Sequence, residues 1–205
     1  MPHEFHIYKG RAPQRDFKIG VAVPCYIDDV KFLEPCLEAI ERLNPQPYLT
    51  IIDVNWGSDL CDVRTKLFNR VFEEGCDVVF QNSADFYLMP DVLKYVSRDK
   101  IVSFNPICLR RYDLTFGLYH MLFFSKMGWT GCYSMPKPYW LKYKDKFTGD
   151  DGSIWRQVGR FRYDFHLGYG YYNMRPYRKS SVEAYLATLT LPKRLLWRMV
   201  RMGIG

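Results

Sequence analysis

The chain reads as an α/β protein built on a parallel sheet. Three apolar, β-branched runs recur in its first half, at Lys18 to Pro24, Tyr48 to Val54 and Val78 to Phe80. Each is followed by a segment of helical character, and Pro, Asn or Gly punctuates the joins. Alternation of this kind builds right-handed βαβ units and lays the strands side by side in parallel. The chain has 205 residues, 48% of them hydrophobic, which suffices for one domain with a sizeable core.

Met1 to Asp16 reads as an irregular lead-in. The first strand, KIGVAVP, ends at Pro24. Asp28 and Asp29 then precede a helix in which Leu33, Leu37, Ile40 and Leu43 share a face and Pro35 suits the first turn. Asn44 and Pro45 end it. The second strand runs into the loop NWGSD, and Cys61 to Glu74 is the second helix. Val63, Leu67 and Val71 recur every four residues on its apolar face, and Gly75 closes it. The third strand runs into polar residues and stops. Asp85 follows among hydrophobic neighbours, and Pro90 to Ser97 is a third helix.

The second half changes character. Ile101 to Asn105 is a fourth strand, and Arg110 and Arg111 lie in a basic turn that suits either solvent or a phosphate. Leu114 to Lys126 is apolar and fits strand or helix, with His120 a core residue. The glycines, prolines and aromatics from Gly128 to Gly159 suggest a ligand-lining segment, with a helix starting near Asp150. Arg160 to His166 alternates as a strand, Leu167 to Lys179 is loop-like, and a helical tail begins at Ser180. That tail carries Leu, Trp and Met among Lys193, Arg194, Arg198 and Arg201. A basic amphipathic helix of this kind lies on an anionic membrane, packs on the domain or pairs with a second copy.

Net charge is +7 and the pI about 9.0, which favours an anionic partner. The 16 tyrosines crowd the second half, as wall material for a polar ligand or as surface packing. Six scattered cysteines form no C-x-x-C pair, which argues against zinc. The first residues lack the apolar core of a signal peptide, and no apolar run is long enough to span a bilayer. A cytoplasmic protein with reduced thiols is the expectation, with peripheral membrane contact open. Neither G-x-G-x-x-G after the first strand nor a P-loop is present, which removes the best support for dinucleotide or P-loop readings.

Two acidic positions carry candidate chemistry. Ligands of open α/β sheets bind outside the carboxyl ends of the strands, where Asp85 stands placed to hold a cation. In FTGDDGSIWR, Asp150 and Asp151 follow Gly149 at a helix start. Each also suits a plain capping role.

Together, the order and spacing of these motifs resemble nucleotide-sugar glycosyltransferases of the GT-A fold, most of all the inverting family 2 type. The likeness spans about Lys18 to His166. VAVPCYIDD, with Pro24 and Tyr26, resembles the opening strand beneath the nucleotide base. VNWGSD resembles the second-strand motif, with Asn55 and Trp56 in place of two acids. NSADFYLMP resembles the D-x-D segment, with Ser83 in place of the first acid and Asp85 matching the last. TGCYSMP resembles the acceptor-side strand, and GDD the acidic pair whose second member is the catalytic base.

The resemblance implies a single GT-A-like domain over 1–179. A Rossmann-like nucleotide half (about 18–105) and an acceptor half (about 106–179) would share a mixed central sheet, followed by the tail at 180–205. It implies transfer of a sugar to a hydroxyl of a glycan, lipid or protein. Asp151 is then the general base with Asp150 as runner-up, and Pro24, Tyr26, Asn55, Ser83 and Asp85 hold the donor. Asp85 and His166 are candidate ligands for Mn²⁺ or Mg²⁺. One base without a second nucleophilic carboxylate points to inversion. Two rival classes stay open. A nucleotidyltransferase also uses carboxylates and a metal, but its Gly-rich basic loop is missing. A nucleic-acid-binding protein would gather its Lys and Arg on one face, whereas here they are spread along the chain.

Overall fold

A computed structural model describes residues 3–10, 16–55, 59–106, 132–146 and 164–173. Eight strands lie there: β1 (His3–Lys9), β2 (Ile19–Tyr26), β3 (Leu49–Asn55), β4 (Val78–Asn82), β5 (Phe86–Leu88), β6 (Val102–Pro106), β7 (Cys132–Pro136) and β8 (Asp164–Asn173). The helices are α1 (Leu33–Glu41), α2 (Leu60–Glu73) and α3 (Lys137–Tyr143). The strands form one sheet in the order β1-β3-β2-β4-β7-β6-β8-β5.

The protein is therefore mixed α/β. Strand β2 pairs in parallel with β3 and β4, as strand–helix alternation requires. The sheet as a whole is not parallel. Strand β7 is antiparallel to both β4 and β6, and β1 is antiparallel to β3. Chain order cannot reveal this, because β7 follows both β4 and β6 in the chain yet inserts between them.

Strand alternation divides the core into two layers. Val21, Val23 and Cys25 of β2 face one cluster with Cys36, Ala39 and Ile40 of α1. Ala22 faces the other, with Val63, Leu67, Phe68 and Val71 of α2. The helices α1 and α2 thus cover opposite faces of the sheet. The α2 register is fixed at its start by Asp59, whose side chain accepts from the amides of Cys61 at 2.8 Å and Asp62 at 3.2 Å. At its end Gly75 adopts φ 86°, the left-handed conformation glycine reaches without a steric penalty.

Four expectations are corrected. The lead-in contains β1, whose HEFHIYK alternates as an edge strand with Phe5, Ile7 and Tyr8 partly exposed. The segment Pro90 to Ser97 holds only a 3₁₀ turn over Val92–Tyr95, which ends where Val96 adopts extended backbone at φ -67° and ψ 136°. The segment after Asp85 is strand β5, paired with β8, and β8 runs on through Asn173 where a loop was expected. The stretch expected to line a ligand contributes core: β7 is buried throughout, and Trp140 of α3 is 2% exposed. Leu114 to Lys126, the helix near Asp150 and the tail lie outside the described residues.

Candidate active site

The carboxyl ends of β2, β3 and β4 lie side by side and carry the candidate residues. The last turns of β2 act as the anchor. The Pro24 carbonyl accepts from the Ala84 amide at 3.4 Å, which docks the β4–β5 turn onto β2. The next carbonyl, of Cys25, accepts from Asn55 Nδ2 at 3.3 Å, which docks the end of β3. The turn itself is closed by the Phe86 amide donating to the Ser83 carbonyl at 3.0 Å. Asn82 braces it from below: its Nδ2 donates to the Phe86 carbonyl at 3.2 Å and to Cys36 Sγ at 3.3 Å. Asp85 is thereby held at the head of β4, 8% exposed.

Asp85 is not alone. Burial above all, and after it Asp29, Asp53 and Asp85, push the Cys25 thiol up to about 12. These carboxylates come from the 3₁₀ turn after β2, from β3 and from the β4–β5 turn, near the carboxyl ends of the strands. Asp29 is 6% exposed and Asp53 fully buried. Acidic side chains near this end of the sheet suit a cation or a ligand rich in donors. Cys25 is held as the neutral thiol, which suits a wall and not a nucleophile.

Sequence reasoning placed Pro24, Tyr26, Asn55, Ser83 and Asp85 at one site, and the strand ends bring these five together. Tyr26 is half-buried where β2 gives way to the 3₁₀ turn Ile27–Phe32. Asn55 is fully buried and its amide bonds to β2, so it acts as a strut between strand ends. Asp29 and Asp53 were missed. The signal for Asp53 was a carboxylate inside the otherwise apolar YLTIIDV, and for Asp29 its position just past a strand end.

His166 lies in β8 opposite Phe104, while Asp85 precedes Phe86, which pairs with Asn173 at the far end of β8. The pairing register thus gives Asp85 and His166 no common partner. Among the described residues no group of three or more His, Cys, Asp or Glu side chains is arranged to hold a metal. A magnesium-like ion commonly takes one or two carboxylates and completes its shell with substrate phosphates and water, and Asp85 with its acidic neighbours fits that mode. Asp150 and Asp151 lie outside the described residues. Among the described residues, no helix is long and apolar enough to cross a membrane.

No family model matches the chain, and no curated protein matches it.

Proposed function

We propose that the chain is a glycosyltransferase of the GT-A type, which moves a sugar from a nucleoside-diphosphate donor to an acceptor hydroxyl. The observation that carries this reading is that Asp85, 8% exposed, sits in the β4–β5 turn that docks on Pro24 at the carboxyl ends of β2, β3 and β4. That is the place where open α/β sheets bind ligands. The resemblance of the motifs around Pro24, Ser83, Asp85 and Asp151 to family 2 sequences supports it.

In this reading Tyr26 flanks the nucleotide base. Asp85 holds a divalent cation, Mn²⁺ or Mg²⁺, against the donor diphosphate. Bound there, the cation neutralises charge on the leaving group. Asp151 takes the proton of the acceptor hydroxyl, with Asp150 the alternative base. The acceptor oxygen bonds to the anomeric carbon as the bond from that carbon to the diphosphate oxygen breaks. The nucleoside diphosphate departs with the electron pair, and the anomeric configuration inverts.

The test begins with donor hydrolysis, screened across nucleotide-sugars with manganese and with chelator. A general base contributes roughly 10²- to 10⁴-fold to the rate. Asp151→Asn is expected to lose that factor while donor affinity stays nearly unchanged. Loss in Asp150→Asn with full activity in Asp151→Asn would transfer the role to the other acid. Equal donor affinity with metal and with chelator would remove Asp85 from cation binding.

A further inference from the structure

On the solvent side of α1 lies a groove of about 420 Å³, lined by Val30, Leu33, Glu34, Leu37, Glu38 and Glu41. Its floor is apolar. Leu33 and Leu37 pack against the core from above, and Val30 is 42% exposed. Its rim is acidic: Glu34, Glu38 and Glu41 follow one another at intervals of four and three residues along exposed positions of α1. The cation the structure places on this rim is Arg42, at 4.0 Å from Glu38 with both side chains largely exposed.

The same spacing recurs elsewhere in the chain with the opposite sign. Arg194, Arg198 and Arg201 are also four and three residues apart, and Leu195, Met199 and Met202 form the adjacent stripe at the same intervals. On a helix opened by Pro192, these two stripes lie side by side. An apolar stripe edged by three arginines is the complement of an apolar floor edged by three glutamates. An amphipathic helix laid into a groove is recognised through such i, i+4, i+7 anchors.

The fold delivers this segment to the right place. The last residue of β8, Asn173, pairs with Phe86 of β5. Strand β5 lies against α1, and Arg42 Nη1 just past α1 donates to the Tyr87 hydroxyl at 2.8 Å. The chain therefore leaves the sheet beside α1. Residues 174–179 extended and 180–191 helical together reach up to about 38 Å from the end of β8.

We propose that residues 192–202 of this chain seat in the α1 groove, with Arg194, Arg198 and Arg201 against Glu34, Glu38 and Glu41. The seat includes Val30, the neighbour of Asp29, so an occupied groove braces the 3₁₀ turn that carries one of the clustered carboxylates.

The test is hydrogen exchange on the full chain, followed at the amides of 33–41. Three partly exposed ion pairs together are worth about tenfold in an opening equilibrium. Arg194→Glu/Arg198→Glu/Arg201→Glu is expected to speed exchange of α1 about tenfold, as is Glu34→Lys/Glu38→Lys/Glu41→Lys. Combining both triples reverses the charges in register and is expected to restore protection. Glu34, Glu38 and Glu41 are exposed and each change keeps a charged side chain, so circular dichroism is expected to stay unchanged. Exchange at 33–41 that is identical in wild type and both triple variants would overturn the proposal. So would protection that rises with protein concentration alongside a dimer mass in light scattering, which would seat the segment on a second copy. Arginine-dependent flotation with anionic vesicles, with α1 exchange unaffected, would assign the segment to a lipid surface instead.

Discussion

The two faces of the sheet are built from the same strands and do different work. The α2 face is aromatic. Phe68 packs edge-on against Trp140 at 5.0 Å and Tyr133 at 6.0 Å, and by strand alternation the buried Asp53 and Gln81 lie on this face with Ile51 and Val79. The α1 face carries the buried thiols Cys25, Cys36 and Cys132, the buried amide of Asn82, and the 3₁₀ turn with Asp29. Burial pushes Cys36 up to about 12 and Cys132 well above the ordinary thiol range, so both behave as small apolar groups. The difference follows from connection. Asp59 caps the start of α2, and Gly75 ends it. The β2–α1 join is an open 3₁₀ turn, and it faces the β4–β5 turn across the end of β2. The aromatic packing lies on one face, and the turn that carries Asp85 is held by the bonds Asn82 makes on the other.

The sharpest way to break that comparison is Trp140→Ala. Trp140 is 2% exposed, and its Nε1 donates to Asn69 Oδ1 at 2.8 Å. Truncating a buried aromatic of this kind costs about 3 to 5 kcal/mol. The melting temperature should fall by roughly 6 to 20 °C in calorimetry. Below that melting point the affinity for a nucleoside diphosphate should match wild type. A variant that melts normally, or one that folds but loses the ligand, would mean the two faces are not separable in this way.

Asn82→Ala probes the other face with a smaller effect. Asn82 links β4 to both α1 and β5 through Cys36 Sγ and the Phe86 carbonyl. Losing a buried donor costs about 1 to 3 kcal/mol. Here the loss should also appear in function, because the same bonds hold the turn that carries Asp85. Nucleotide-sugar affinity should fall along with stability. A drop in melting temperature with affinity untouched would show that the turn is held by the Ala84–Pro24 and Phe86–Ser83 bonds alone.

Much of this division was legible in the sequence. The three strand–helix repeats, the apolar face of α2 and the glycine that ends it follow from local periodicity and backbone preference. Asp85 stood out in the sequence as a carboxylate just past a strand end with apolar residues on either side. What stayed hidden depends on distant pairing. The short HEFHIYK and FYL segments become strands only when β3 and β8 supply their ladders. The aromatic residues near Trp140 look like a ligand wall until α2 is seen beneath them. Asp53 and Asp29 were obscured for the opposite reason, since each sits within a locally ordinary strand or turn and gains meaning only beside Cys25.

The finest test concerns the amino end of β4, as far along that strand as possible from Asp85. Gly75 has φ 86°, and a Cβ built there would meet nothing within 4 Å. Gly20, on the same side of the sheet, differs: a Cβ there would lie 2.5 Å from Val71 Cγ1, so its constraint is steric. Any penalty at Gly75 is therefore conformational, about 1 kcal/mol for Ala, because an L-residue avoids the left-handed region. Asn enters that region more readily than Ala, so Gly75→Asn should cost less than Gly75→Ala. Both should leave nucleotide-sugar affinity unchanged, since the strain enters where α2 meets β4 and not where β4 meets the carboxylates. Equal destabilisation by Ala and Asn in urea titration would sink the conformational account. A loss of affinity in either would show that the structural and functional ends of β4 are coupled through the strand.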